Sequence, residues 1–182
     1  IGYIMILGLD VSTSITGATV LNEKGGVVYC AAWDMRNKKY FPTFFDKARF
    51  IKDRIQELND MFHVESVYIE QSLQSFRSGF SSAKTLSTLS RFNGIVSWLC
   101  YSIIELEPEY IAATSARKKC GINIPRGVKA KQVVIQYVVD NVPDVTITYT
   151  KHGNPQPECY DKADSWVIAM AGYACMKKAK NS

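Results

Sequence analysis

The stretch ILGLDVSTSITGATVL, residues 6–21, places a single acid at the end of an otherwise apolar run. Asp10 is followed by four hydroxyl-bearing residues and then by Gly17. A short apolar run of this kind predicts a buried β-strand. Because a carboxylate at the edge of an apolar segment is costly without a partner, the chain must supply one for Asp10.

The chain has the size and composition of one globular domain. It contains 182 residues, of which 47% are apolar and 21% charged. We therefore predict a single domain over 1–182. Since the chain opens with Ile1 and Met5 begins a strand, we set residues 1–4 aside as a cloning remnant. No apolar run reaches the ~18 residues of a membrane span, so we expect no membrane partner.

The cysteine pattern predicts a reducing compartment. The chain has an odd number of cysteines, far apart and without a CxxC pair: Cys30, Cys100, Cys120, Cys159 and Cys175. Neither a disulfide framework nor a zinc site is expected from this spacing. We therefore expect a cytoplasmic protein.

Positive charge is concentrated in the middle of the chain, although the net charge is only +5. Between Gln71 and Asp140 the only acids are Glu105, Glu107 and Glu109. The same interval holds nine cations: Arg77, Lys84, Arg91, Arg117, Lys118, Lys119, Arg126, Lys129 and Lys131. This pattern fits either a solvated basic face or a surface that binds a polyanion.

Hydrophobic patterning predicts a mixed α/β fold. Three early strands are expected at 3–11, 17–21 and 27–33, with a hairpin turn at 23–26. Apolar residues at helical spacing predict helices at 43–62 and 81–106. Further strands are expected at 66–70 and 109–114, and a C-terminal helix at 159–180. Residues 129–142 fit a strand by their β-branched composition and a helix by their length.

Acids recur at the ends of the other predicted elements. Glu70 closes the fourth strand, and Asp161 and Asp164 stand three apart in the last helix, where they share a face. Each has a simpler explanation: Asp10 as a turn cap, Glu70 as a surface charge, Asp161 as a helix-start residue. A divalent metal cluster accounts for all of them at once, because hard cations prefer carboxylate oxygens.

Several of these motifs together resemble the RuvC-like Holliday junction resolvases of the ribonuclease H-like superfamily. ILGLDVSTSITGATVL resembles the first strand and hairpin of that family, VYIEQSLQSF its second acidic motif and YDKADSWVIAMA its closing helix. YIAATSARKK and VKAKQVV resemble its two basic segments, and phage-encoded members, which tend to cut branched DNA broadly, are similar too. The resemblance implies a ribonuclease H-like mixed sheet, with three antiparallel N-terminal strands followed by βα units and flanked by helices.

The same resemblance implies roles for individual residues. Asp10, Glu70, Asp161 and Asp164 would be the catalytic metal ligands, for two Mg²⁺ or Mn²⁺ ions. Leu73 would take the junction-probing position, which is usually aromatic, and Arg117 and Lys131 would match two lysines that contact DNA. The expected DNA-binding set is Leu73, Phe76, Arg77, Arg117, Lys118, Lys119, Lys129 and Lys131. The implied function is structure-selective cutting of branched DNA in recombination and repair. The resemblance also implies that the protein works in the cytoplasm of a bacterium or of a phage-infected host.

The implied chemistry is hydrolysis of a phosphodiester held between two metal ions. Asp10 would bridge the ions, because it stands at the centre of the sheet. His152 precedes the last motif and is a minor candidate for a general base.

Two other functions stay open at this point. A different ribonuclease H-like nuclease, acting on hybrids or DNA ends, would use the same acids. The first motif also resembles a phosphate loop of actin-like ATPases and sugar kinases, but residues after 100 supply no second glycine-rich hairpin.

A homodimer is expected because a four-way junction is two-fold symmetric and one domain has one acidic cluster. The helix at 81–106 carries more apolar side chains than one core-facing stripe needs: Leu86, Leu89, Phe92, Ile95, Val96 and Leu99. The alternative is that the monomer buries both faces of this helix.

Overall fold

The fold is built on one five-stranded sheet, as a computed structural model describes it for residues 4–71 and 82–182. The strands are β1 (Ile6–Asp10), β2 (Ile15–Leu21), β3 (Val27–Asp34), β4 (Ser66–Glu70) and β5 (Glu109–Ile111). Their order across the sheet is β3-β2-β1-β4-β5. The first three strands pair antiparallel, whereas β4 runs parallel to β1 and β5 parallel to β4. The predicted mixed sheet is confirmed.

Helices cover both faces of this sheet. They are α1 (Phe44–Phe62), α2 (Ala83–Ile104), α3 (Ala113–Lys119), α4 (Ala130–Asn141) and α5 (Pro157–Lys180). The start of α1 is fixed by a capping box, in which Thr43 and Asp46 bond each other's backbone N–H groups. One face carries α1 and α2, and the other carries α5 with α3 and α4 packed against it.

Period-two alternation sends neighbouring residues of one strand to opposite faces. Leu7 and Leu9 of β1 belong to the core beneath α1 and α2, whereas Ile6 belongs to the core beneath α5. A Cβ at Gly8 would overlap the backbone of Ala169 in α5, so Gly8 also faces α5. Asp10 lies two residues after Gly8 on the same strand, so its side chain is also on the α5 face.

Two predicted elements differ from the structure. The strand predicted at 109–114 ends at Ile111, because α3 begins at Ala113. The ambiguous segment forms α4, whose apolar side chains at helical spacing pack against α5. The α5 helix begins at Pro157, which places Asp161 in its second turn rather than at its start.

The excess apolar surface predicted for the second long helix is mostly used within the monomer. Phe92 and Val96 are fully buried, and Leu99 packs partly against the same core. The large hydrophobic side chains of α2 that remain exposed are aromatic: Trp98 is 62% exposed and Tyr101 is 53% exposed. Within the described residues, no helix combines the length and the apolar character needed to cross a membrane.

Candidate active site

Asp10 and Glu70 meet at one edge of the sheet because the strands that end with them are parallel neighbours. Leu9 pairs with Ile69, so the two acids follow on adjacent strands. Tyr68 lies in the core beneath α5, and alternation therefore directs Glu70 to the same face as Asp10. The two carboxyl groups are close enough to share a hydrogen bond, which requires that one of them be protonated.

The second pair of acids is delivered by α5, which lies very close to β2. Gly17 is the cross-strand partner of Asp10. A Cβ at residue 17 would overlap the carbonyl oxygen of Asp161 and lie 2.7 Å from its carbonyl carbon. Only glycine therefore allows α5 to approach here, and this approach brings Asp161 and Asp164 toward Asp10.

Burial raises the pKa values of all four acids, and repulsion within the cluster adds to the shifts of Asp10 and Asp164. Burial raises the pKa of Asp10 well above its usual value, and the charges of Glu70, Asp164 and Asp161 raise it further. Burial raises the pKa of Asp164 to about 7, with added repulsion from Glu70 and Asp161. The pKa of Asp161 rises to about 6, mainly through burial. Full ionisation is therefore unfavourable without a compensating cation.

Burial likewise raises the pKa of Glu70, while its hydrogen bond with Asp10 and the charge of Arg117 oppose that shift. Lys131 and Arg117 also favour the ionised form of Asp164. Both cations therefore act electrostatically on the acidic cluster. A third cation was missed by sequence analysis: Arg36, held by Asp34 through two hydrogen bonds, favours the ionised form of Asp161.

The four acids have the chemistry of a site for hard divalent cations, since they offer only carboxylate oxygens and repel one another. Among residues 4–71 and 82–182, however, no three side chains of His, Cys, Asp or Glu are already grouped to hold an ion. The donor set fits Mg²⁺ or Mn²⁺, because all four side chains offer carboxylate oxygens.

The start of α2 borders this edge of the sheet. A cavity of about 160 Å³ is lined by Asp10, Glu70 and Asn93, together with Leu86 and Leu89. Asn93 is buried, and its Nδ2 donates to the backbone carbonyl of Glu70 at 3.4 Å. Sequence analysis missed Asn93, because an isolated polar residue in an apolar helix carries no local signal of its partner.

The predicted DNA-binding residues do not all lie on one surface. Arg117 and Lys118 line a groove of about 520 Å³ beside α3. Lys119 instead lines a different groove, between α3, α4 and α5. Lys129 is exposed at the start of α4, and Lys131 places its Nζ 4.8 Å from the ring centroid of Tyr160.

The other residues predicted to bind DNA or to act as a general base add no evidence for the site. Leu73, Phe76 and Arg77 lie outside the described residues. His152 is exposed in a turn before α5, where its backbone N–H donates to Thr150 Oγ1.

The architecture of this chain is similar to that of known proteins. No protein-family model matches the sequence, and no curated protein matches it. Among solved structures, Thermus thermophilus RuvC in complex with a Holliday junction substrate is similar at a TM-score of 0.64 and 13% identity, over 96% of each chain. A second structure of Thermus thermophilus RuvC is similar at 0.64 and 14% identity, over 97% of each chain.

The yeast mitochondrial Holliday junction resolvase Ydc2 is similar at a TM-score of 0.64 and 14% identity, over 97% of this chain and 80% of that one. At these identities the likeness concerns the fold. The chain has the ribonuclease H-like fold of the RuvC resolvases, as the sequence motifs predicted.

Proposed function

We propose that this protein is a metal-dependent endonuclease that cuts Holliday junctions and other branched DNA. The observation that carries the proposal is the convergence of four carboxyl groups from β1, β4 and α5 at one edge of the sheet. The solved structures with the same fold are Holliday junction resolvases, one of them bound to its junction. Arg117, which lines the groove beside α3, acts electrostatically on Glu70 and Asp164.

Asp10, Glu70, Asp161 and Asp164 would hold the divalent cations. When bound, two such ions activate water for attack on a phosphodiester and stabilise the leaving 3′ oxygen. In their absence burial raises the pKa values of these carboxyl groups, to about 6 for Asp161 and about 7 for Asp164, so part of the cluster is protonated near pH 6. Loading the site therefore requires proton release, and cutting should become faster as the pH rises from 6 toward 8.

Cations of the chain would position the DNA. Arg117 and Lys131 already act electrostatically on the acids, so a phosphate that they contact lies near the cutting centre. Asn93 holds the backbone at the end of β4 and thereby limits the movement of Glu70.

A cleavage panel tests this function. Wild type and Asp10→Asn are compared on a four-way junction, a flap, a linear duplex and an RNA–DNA hybrid, with Mg²⁺, Mn²⁺ or chelator. We expect metal-dependent cutting of the junction by wild type alone, with junction binding retained in Asp10→Asn. Asp53→Asn, an exposed acid of α1, is the matched control and should cut normally.

The panel also separates the second candidate function. Preference for the hybrid over the junction would favour a ribonuclease H-type activity, because the same acids serve both reactions. Cutting by Asp10→Asn at the wild-type rate would contradict the assignment of the site.

We propose further that the working unit is a homodimer formed through α2 and β5. Trp98 and Tyr101 lie with their ring centroids 6.1 Å apart, and both are exposed. Tyr110 of β5 is 50% exposed and donates to Ser97 Oγ at 2.7 Å, so it adjoins the same patch. An aromatic patch of this kind is typical of interfaces, and two subunits would cut the two related strands of a junction.

Sedimentation at micromolar concentration tests the dimer. We expect a dimer for wild type and a monomer for the variant Trp98→Glu with Tyr101→Glu. On a cruciform plasmid, wild type should make paired cuts and the variant single nicks. A monomeric wild type that makes uncoupled nicks would refute the dimer and leave the metal site intact.

A further inference from the structure

A buried pair of hydroxyl groups connects β2 to α5 directly behind the acids. Thr19 and Ser165 are both 0% exposed, and their side-chain oxygens lie 2.8 Å apart. Ser165 also donates to the carbonyl oxygen of Lys162 at 2.8 Å. The surrounding core is otherwise mostly apolar, and the Thr19 hydroxyl also lies 3.3 Å from Cys30 Sγ. The hydroxyl pair fixes the position of α5 relative to β2, because a hydrogen bond forms only in a narrow range of geometry.

The position of this pair in the sequence relates it to the acids. Ser165 follows Asp164 immediately and lies one helical turn after Asp161. A shift of α5 by one residue would move the Ser165 position about 1.5 Å along the helix axis and rotate it by about 100° around that axis. Either movement would break the bond with Thr19 and would carry both acids away from Asp10.

Gly17 determines how closely α5 approaches the sheet, and the hydroxyl pair determines the position of α5 along its own axis. Gly17 and Thr19 lie two residues apart on β2 and therefore share the α5 face. Ala18 and Val20, between and after them, lie in the opposite core. The backbone of Asp161 rests on Gly17, whose cross-strand partner is Asp10 itself.

We infer that Thr19 and Ser165 are positioning residues, which together with Gly17 hold Asp161 and Asp164 in register with Asp10 for metal binding. The inference rests on the proposed function, since it concerns the same four acids. Neither hydroxyl touches the metal or the DNA. They keep α5 in place, so that the carboxylates of Asp161 and Asp164 lie close to those of Asp10 and Glu70.

The test uses Thr19→Val, which keeps the shape of the side chain and removes the hydroxyl. Its partner variant is Thr19→Ser, which keeps the hydroxyl. Val20→Ala is the matched control, because it disturbs the next residue of the same strand on the opposite face. The affinity for Mn²⁺ is measured by calorimetry without DNA. We expect about a tenfold loss in Thr19→Val, recovery in Thr19→Ser and no change in Val20→Ala.

Wild-type affinity in Thr19→Val, or an equal loss in Val20→Ala, would overturn the inference. If Thr19 had a purely structural role, Thr19→Val and Val20→Ala would both have lower melting temperatures, and their affinity for Mn²⁺ would be unchanged.

A second readout needs no metal and separates this inference from the proposed function. Hydrogen exchange at the amides of 161–165 should be faster in metal-free Thr19→Val than in Val20→Ala, because α5 loses its link to β2. Equal exchange in the two variants would overturn the positioning role. Failure of wild type to bind Mn²⁺ in an Asp10-dependent manner would instead overturn the proposed metal site.

Discussion

The two faces of the sheet are built from the same strands but carry opposite kinds of interaction. Beneath α1 and α2 the core is mostly apolar, with Leu7, Leu9, Ile51 and Ile55 fully buried. Beneath α5 the core contains a buried hydroxyl pair and ends in four mutually repelling carboxyl groups. The difference indicates that the first face stabilises the fold, whereas the second gives up stability to assemble a site.

The largest effect is expected on the α5 face. Asp164→Asn should reduce DNA cutting by at least about a hundredfold, because it removes a metal-ligating oxygen and the charge that attracts the cation. Cleavage of a four-way junction in Mg²⁺ measures the loss, with circular dichroism as the check on folding. If the variant cuts within a fewfold of wild type, the α5 face does not carry the chemistry.

On the opposite face, the main effect should be on stability. Ile55→Ala, at a fully buried position of α1, should lower the free energy of unfolding by about 2–5 kcal/mol through lost burial and a cavity. Denaturant unfolding measures this loss, and Met61→Ala, at a position 65% exposed on the same helix, should change it by less than about 0.5 kcal/mol. The cutting rate per folded molecule should stay unchanged in both variants. A slower rate in folded Ile55→Ala would show that the two faces are coupled.

A smaller effect concerns the stability of the metal-free protein and its dependence on pH. The pKa of Asp164 is raised to about 7 from a usual value near 3.8, so the native state holds this proton more tightly than the unfolded state. The resulting destabilisation is absent below pH 4, grows between pH 4 and 7 and is complete above pH 7. Asp164→Asn should therefore melt a few degrees higher than wild type at pH 8 and at nearly the same temperature at pH 4. Thermal scans in chelator test this, and an equal difference at both pH values would contradict it.

The smallest effect concerns DNA binding. Arg117→Ala should weaken junction binding modestly and reduce the salt slope by about one counterion, because one phosphate contact is lost. Lys52→Ala, an exposed cation of α1, should leave the slope unchanged. Binding measured from low to high salt distinguishes the two variants, and equal slopes would mean that Arg117 lies outside the DNA path.

The sequence predicted the α1 and α2 helices and the sheet well because their signals are local. Helical spacing of apolar residues and a Thr43 cap define α1, and a glycine turn marks the β2–β3 hairpin. It missed α3, because seven residues hold too few turns for a periodic pattern. The composition of α4 was ambiguous, and its contact with α5 favours the helix.

The candidate site was predicted only in part for a related reason. Acids at strand ends predicted which side chains meet, and the structure brings Asp10, Glu70 and Asp164 within mutual electrostatic reach. The contact of Gly17 with Asp161 and the bond between Thr19 and Ser165 depend on how α5 lies on the sheet. No local pattern encodes that placement, although a glycine inside a strand indicates a close backbone approach.

The position of α5 at the end of the chain order has a consequence for biosynthesis. A ribosome makes Asp10 and Glu70 early, together with four of the five strands, and makes Asp161 and Asp164 only with the last helix. At the usual rates of synthesis, roughly ten to thirty seconds separate the first acid from the last pair. During this interval the nascent chain carries at most two of the four acids. If the proposed function is correct, translation order itself keeps the growing polypeptide from cutting DNA until α5 has been made.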